Sequence, residues 1–213
     1  MGSFAVALLL AYLLGSVSGS LLLGRARGVD IRRAGSGNAG GTNAFRTQGW
    51  KFALGVVSID IGKGVLAAWV GLRLHDAALP FPPLSQGFAC ALAAAFGHTW
   101  PVFHGFRGGK GAATLVGGVL LLWPAVAPWL LLVWVLVLTL TGYVGLATIC
   151  AGLALLPAAL FADHATRPAA LGFAILASTF LLFTHRANLA RLRAGNEHRF
   201  ERARVWSRWF ARS

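Results

Sequence analysis

The chain has 213 residues, of which 57% are hydrophobic and only 12% charged. A soluble domain carries roughly a quarter charged residues, so a water-soluble core is excluded and an integral membrane protein is expected. The net charge of +13 does not indicate nucleic acid, because the cations cluster between apolar stretches instead of coating one face, which is the positive-inside pattern.

Seven apolar segments follow in chain order, at 3–23, 51–74, 85–104, 111–123, 125–141, 143–162 and 168–184. At roughly 20 residues per span they predict an all-α integral membrane protein. The first segment lacks a basic start and a small-residue cleavage site, and so reads as a retained helix rather than a signal peptide. Trp123-Pro124 marks a tight turn between the fourth and fifth segments, because proline disfavours helix in the residue before it. Merging those two into one kinked helix gives six spans, but then the first basic loop and the basic tail fall on opposite sides. With seven spans, all of the 19 Lys and Arg except Lys63, Arg73 and Arg167 share one side. The expected topology is therefore seven transmembrane helices, N-terminus outside and C-terminus cytoplasmic. The membrane domain is expected over 1–198, followed by a tail over 199–213 whose arginines alternate with aromatics in the manner of a surface helix on anionic headgroups.

Two glycine-rich, cation-bearing segments interrupt the apolar pattern, both on the cytoplasmic side of this topology. The first, 35–46, offers Ser36, Gly37, Asn38, Thr42, Asn43 and Arg46. The second, 105–114, follows Gly97-His98 and Pro101, and carries Gly108-Gly109-Lys110-Gly111 and Thr114 at the start of the short fourth helix. Closely spaced glycines let backbone N–H groups turn toward an anion, a helix N-terminus favours negative charge, and Arg or Lys completes the coordination. The second segment is not a nucleotide P-loop: Lys110 is followed by Gly111 instead of Ser or Thr, and the surroundings are helical. Asp60 and Lys63 lie three apart on one helical face within the second span, either as a buried ion pair or with Lys63 reaching a ligand phosphate that Asp60 helps to orient. His185, Arg186, Asn188, Arg191 and Glu197 open the C-terminal segment, and His185 can hydrogen-bond a hydroxyl or act as a base. Cys90 and Cys150 sit inside apolar runs as small hydrophobes, and no metal-ligand spacing occurs. No metal and no cofactor are expected.

Together these segments resemble the PlsY family of bacterial acyl-phosphate:glycerol-3-phosphate acyltransferases, along almost the whole chain. The resemblance runs through Gly15-Ser16, Gly35-Ser36-Gly37-Asn38 with Thr42-Asn43 and Arg46, Asp60 with Lys63-Gly64, Gly97-His98 with Pro101, Gly108 to Gly111 with Thr114, and His185-Arg186 with Asn188, Gly195 and Glu197. It implies an inner-membrane enzyme that moves a fatty acyl group from acyl phosphate to the 1-hydroxyl of glycerol 3-phosphate, giving lysophosphatidic acid and phosphate. The partners it implies are those two substrates, membrane lipids and a functional coupling to the acyl-phosphate-producing enzyme. It further implies that Lys110, Ser36, Arg46 and His185 are catalytic. Gly37, Asn38, Thr42, Asn43, Lys63, His98, Gly108, Gly109, Gly111, Thr114, Arg186 and Asn188 would bind substrate, with Asp60 and Glu197 in support. Either a substrate phosphate oxygen or His185 would take the hydroxyl proton.

Two departures stand out. The family's Arg-Tyr-x-Ser-Leu stretch reads Gly142-Tyr143-Val144-Gly145-Leu146 here, so one phosphate contact is expected to be lost or supplied by another residue such as Arg107 or Arg186. Ser18 replaces a proline in the first helix, with an expected effect on its bend. The competing readings are a transporter or channel for a phosphorylated metabolite and a phospholipid-binding structural protein. The first predicts midplane charges and repeated halves, of which no repeat is visible; the second leaves both glycine loops without a role.

Overall fold

A computed structural model describes residues 2–204, and the regular elements among them are all helical. In chain order they are α1 (Gly2–Ser16), α2 (Gly19–Ala26), α3 (Gly41–Gln48), α4 (Trp50–Arg73), α5 (Pro83–Thr99), α6 (Ala112–Leu122), α7 (Ala127–Thr141), α8 (Val144–Leu153), α9 (Leu155–Leu160), α10 (Arg167–Thr184) and α11 (Arg186–Arg193), with short 3₁₀ turns between some of them. Every apolar segment of the sequence contains a helix. Among the described residues three stretches, Trp50–Arg73, Pro124–Thr141 and Arg167–Thr184, are long and apolar enough to cross a bilayer, and α1 with α2 makes a fourth when the bent pair is counted as one span.

Two expected continuous spans are interrupted. Segment 3–23 breaks at Val17-Ser18 and bends by 43°. No proline causes this; small residues on both sides of the break admit polar side chains from other helices, described below. Segment 85–104 stops as a helix at Thr99, because Pro101 has no N–H to give and disfavours helix in Trp100; residues Val102–His104 then form a single 3₁₀ turn.

The chain divides into two compact units, 1–124 and 125–213. In the first, α4 is the hub, packing on α1, α2, α3, α5 and α6. Its contacts use small residues: Ala7 and Ala11 of α1, Ala67 of α4, and Cys90 and Ala94 of α5 form one buried cluster. Little hydrophobic force acts between helices in lipid, so close backbone approach supplies the cohesion. A second cluster, Leu21, Ile31, Ala39, Ala44, Phe52, Ala53 and Val56, lies beneath the first glycine loop and fixes where that loop sits.

In the second unit α7 packs on α8, while α8 and α9 pack on α10 and α11 on α8. Leu131, Leu132, Val135, Leu136 and Leu140 of α7 are all exposed, and no residue of that helix is fully buried. Such a surface suits lipid tails. Cations also lie over aromatic rings near the span ends: Arg73 over Trp69, Lys51 over Trp50 and Arg186 over Phe183. That amphipathic pairing suits the headgroup layer. The tail reading falls mostly on residues 205–213, which lie outside the described residues.

Candidate active site

In the first unit the two glycine loops, far apart in sequence, meet. Ala39 N–H donates to Gly108 O at 3.4 Å, and the Ser20 hydroxyl of α2 holds Ala39 O at 3.0 Å. The second loop folds back on the end of α5, with Gly108 N–H on Thr99 O at 3.1 Å and Gly109 N–H on His98 O at 3.0 Å. A β-carbon at Gly109 would strike His98 Nε2 and come within 3.0 Å of Ala39 O, so only glycine lets the strand of loop pass between the imidazole and the first loop. Gly111, in the left-handed region at φ 78°, then turns the chain into α6. Lys110, half-buried, sits between these two glycines, at the positive end of α6.

Beneath this junction lies a buried polar cluster formed by Asp60, Lys63 and His98, each no more than 7% exposed. Lys63 Nζ donates to Gly15 O at 2.9 Å and Val17 O at 2.8 Å, the carbonyls freed where α1 ends. Asp60 Oδ1 accepts Gly19 N–H at 3.2 Å, an amide freed where α2 begins, and pairs with Lys63 Nζ at 3.0 Å. The ion pair therefore satisfies the backbone groups that the break at Val17-Ser18 exposes. His98 Nδ1 lies 2.7 Å from Lys63 Nζ and 3.3 Å from Asp60 Oδ1. An ammonium can only donate, so the shorter contact makes Nδ1 an acceptor and puts the ring hydrogen on Nε2, the atom beside Gly109. Of the two readings of Asp60 and Lys63, this geometry matches the buried pair, since four acceptors already surround the three ammonium hydrogens of Lys63.

Asn43, expected to bind substrate, is 1% exposed and is bonded within its own loop. Its Oδ1 accepts Ser36 N–H at 2.9 Å, and its Nδ2 donates to Ile31 O and Ala34 O, both at 3.0 Å. It is a staple that shapes the loop and leaves Ser36 exposed at the surface. Gly37, Asn38, Thr42 and Arg46 follow on the same loop and on α3, Gly37 exposed and the other three half-buried. Thr114, fully buried in the first turn of α6, has a hydroxyl with no hydrogen-bond partner.

Arg32, which entered the sequence reading only as a topological charge, clamps the two loops. Its guanidinium is bidentate on Asp30, at 3.0 Å from Nε to Oδ1 and 2.9 Å from Nη2 to Oδ2. Nη1 donates onward to His104 O at 3.0 Å and Arg107 O at 3.2 Å. Between those carbonyls Phe106 holds φ 59°, a strained value for a residue with a side chain, so the segment needs such a grip. The Arg32 guanidinium, by its hydrogen bond, holds the Asp30 carboxyl down at about 2 from its ordinary 3.8. A depressed carboxylate stabilises the fold above its unfolded value and loses that contribution as pH falls through the folded value. The melting-temperature gap between wild type and Asp30→Asn is therefore expected to stay constant above about pH 5 and to shrink as pH falls toward 2. A gap that closes already between pH 7 and 5 would contradict this pairing.

In the second unit His185 ends α10 and is 5% exposed. Its Nδ1 lies 2.9 Å from Leu181 O, which can only accept, so Nδ1 carries a hydrogen. Asn188 of α11 donates from Nδ2 to Glu197 Oε1 at 2.7 Å, and Arg191 Nε donates to Glu197 Oε2 at 2.7 Å, so Glu197 orients both. Arg186 is exposed, over the Phe183 ring and bonded to Phe183 O at 2.9 Å.

A helical membrane protein whose glycine loops converge on a lysine at a helix N-terminus, with an oriented histidine and asparagine elsewhere in the chain, is built as an anion-handling membrane enzyme. Comparison with known proteins specifies which kind. The glycerol-3-phosphate acyltransferase family profile matches residues 5–195. A glycerol-3-phosphate acyltransferase from Thermus thermophilus is 41% identical over 199 residues, covering 92% of this chain and 95% of the relative. Crystal structures of PlsY, an integral membrane glycerol 3-phosphate acyltransferase, align in the glycerol 3-phosphate form with a TM-score of 0.82 and 36% identity, over 93% of this chain and 96% of that one. The lysophosphatidic acid form aligns with a TM-score of 0.79 and 35% identity, over 92% and 95%. The chain belongs to the PlsY family of glycerol-3-phosphate acyltransferases.

Proposed function

We propose that this enzyme transfers a fatty acyl group from acyl phosphate to the 1-hydroxyl of sn-glycerol 3-phosphate, releasing lysophosphatidic acid and inorganic phosphate. The observation that carries the reading is the junction of the two glycine loops around Lys110, in a chain that belongs to this family. Backbone amides and Lys110 at the start of α6 take the phosphate of the acyl donor and stabilise the negative charge that develops on the carbonyl oxygen. Ser36 and Arg46 position phosphate from the first loop, with Gly37, Asn38 and Thr42 beside them. His98 presents its Nε2–H beside Gly109, and Thr114 supplies a hydroxyl in the first turn of α6.

In the second unit, His185 Nε2 and Asn188 orient glycerol 3-phosphate. The hydroxyl oxygen attacks the acyl carbonyl carbon, the bond from that carbon to the phosphate oxygen breaks, and phosphate leaves with the electron pair. The hydroxyl proton passes to a phosphate oxygen. The donor is a mixed anhydride and already activated, so positioning accounts for much of the acceleration.

The seven apolar segments act as seven spans of a bacterial inner-membrane protein, with the N-terminus outside and both glycine loops at the cytoplasmic face, by the positive-inside distribution. There the enzyme meets soluble glycerol 3-phosphate and couples functionally to the enzyme that makes its acyl phosphate. Purified protein given acyl phosphate and glycerol 3-phosphate, with no added metal, is expected to release phosphate and form 1-acyl-glycerol 3-phosphate in equal amounts. Folded protein in a lipid phase that forms no product would refute the reading.

A further inference from the structure

The stretch from Gly142 to Gly145, the α7–α8 turn and the first residues of α8, carries no cation of its own, yet two arginines from the tail lie against it. A β-carbon at Gly142 would meet Arg199 Cγ at 2.9 Å and Arg204 Cγ and Cδ at 3.2 Å. A side chain at 142 and the tail arginines thus compete for one volume. The tail is tied there by its backbone as well: Phe200 N–H donates to Gly142 O at 2.8 Å. Arg199 Nε donates to Thr141 O at 2.9 Å, and its guanidinium lies over the Tyr143 ring at 5.2 Å from the centroid.

At the start of α8 Gly145 leaves room for Asn188, whose amide nitrogen a β-carbon would approach to 2.8 Å. Two arginine side chains and the amide of Asn188 therefore flank the stretch from Gly142 to Gly145. Glu201 is the acidic partner of both arginines, 3.7 Å from Arg199 and 3.3 Å from Arg204, and its side chain is 63% exposed. A largely solvated carboxylate balances one of the two positive charges, so a net cation remains at the turn. Guanidinium is the group best shaped to grip phosphate through paired N–H donors.

We propose that Arg199 and Arg204 form a phosphate-binding pair for a substrate of the acyl-transfer reaction, delivered to the α7–α8 turn by the tail. The inference rests on the acyltransferase reading. The competing role, a simple cap on the last carbonyls of α7, predicts lost stability with unchanged substrate affinity.

The test uses the full-length protein in lipid, with Arg199→Gln, Arg204→Gln and the double variant, measuring KM for glycerol 3-phosphate and for acyl phosphate separately, together with kcat and melting temperature. The double variant is expected to raise at least one KM about tenfold or more, the usual weight of a charge-assisted hydrogen bond, and the substrate affected identifies which phosphate is held. The double variant Arg199→Lys, Arg204→Lys, which keeps the charges but not the planar fork, is expected to give a value of that KM between wild type and the Gln double variant. Both KM values unchanged would overturn the inference, as would a KM that the Lys double variant raises as far as the Gln double variant does. If the double variant does not fold, each single variant reads the same two constants, and unchanged values there also overturn it. Failure of the acyltransferase reading is separate: wild type itself would then form no product.

Discussion

Replacing Lys110 with alanine is expected to lower kcat by about 100-fold or more, the typical cost of losing a donor aimed at charge that develops in the transition state. The melting temperature should hardly change. Lys110 follows directly on two residues whose backbone bonds fix the loop, Gly108 to Thr99 and Gly109 to His98. Lys110→Arg keeps the charge but not the compact ammonium, and is expected to fall between wild type and alanine. Steady-state kinetics with both substrates saturating, beside a thermal melt in the same detergent, separates chemistry from folding. Activity within about threefold of wild type for Lys110→Ala would move the transition-state contact away from this loop.

Lys63→Met is expected to behave in the opposite way, as a loss of the fold. Removing one member of a buried pair leaves the other charge without compensation, at a cost of roughly 3–5 kcal/mol. Here Asp60 would keep its charge beside Gly19 N–H, while Gly15 O and Val17 O would lose their donor at the break between α1 and α2. The double variant Asp60→Leu, Lys63→Met removes the stranded charge and should recover part of the stability. It should not recover activity, because His98 Nδ1 loses the ammonium it accepts from and Nε2 is no longer held beside Gly109. Thermal melts of the three variants, with phosphate release measured at a temperature where all remain folded, check both halves. A single Lys63→Met variant that melts like wild type would show that the pair does not hold the break together.

Much of the polar machinery was readable along the chain. The glycine loops announce themselves by composition, and Asp60 with Lys63 by spacing inside an apolar run. What those residues touch was not readable. Asn43 has the residue type of a ligand contact, but its amide is used on Ile31, Ala34 and Ser36, because a loop with left-handed glycines at 35 and 37 needs an internal anchor. Arg32 looks like one of many topological cations; the only local hint of its clamp was Asp30 two residues earlier, a spacing too common to carry weight. Arg199 looked like part of a headgroup-binding tail, and the volume it fills at Gly142 is visible only once the tail is folded back.

Composition and hydropathic period determined that this chain is a helical membrane protein, and charge placement supplied the expected orientation, because burying backbone in lipid and crossing it with cations carry penalties that act on any sequence locally. The tertiary structure alone decided that the two glycine loops form one junction, that Lys63 serves the broken first helix, and that tail arginines cover the α7–α8 turn. These are contacts between residues tens of positions apart. Their free energy depends on volumes and hydrogen-bond directions that arise only when α1, α4 and α5 pack together in one unit and the tail closes on α7 in the other.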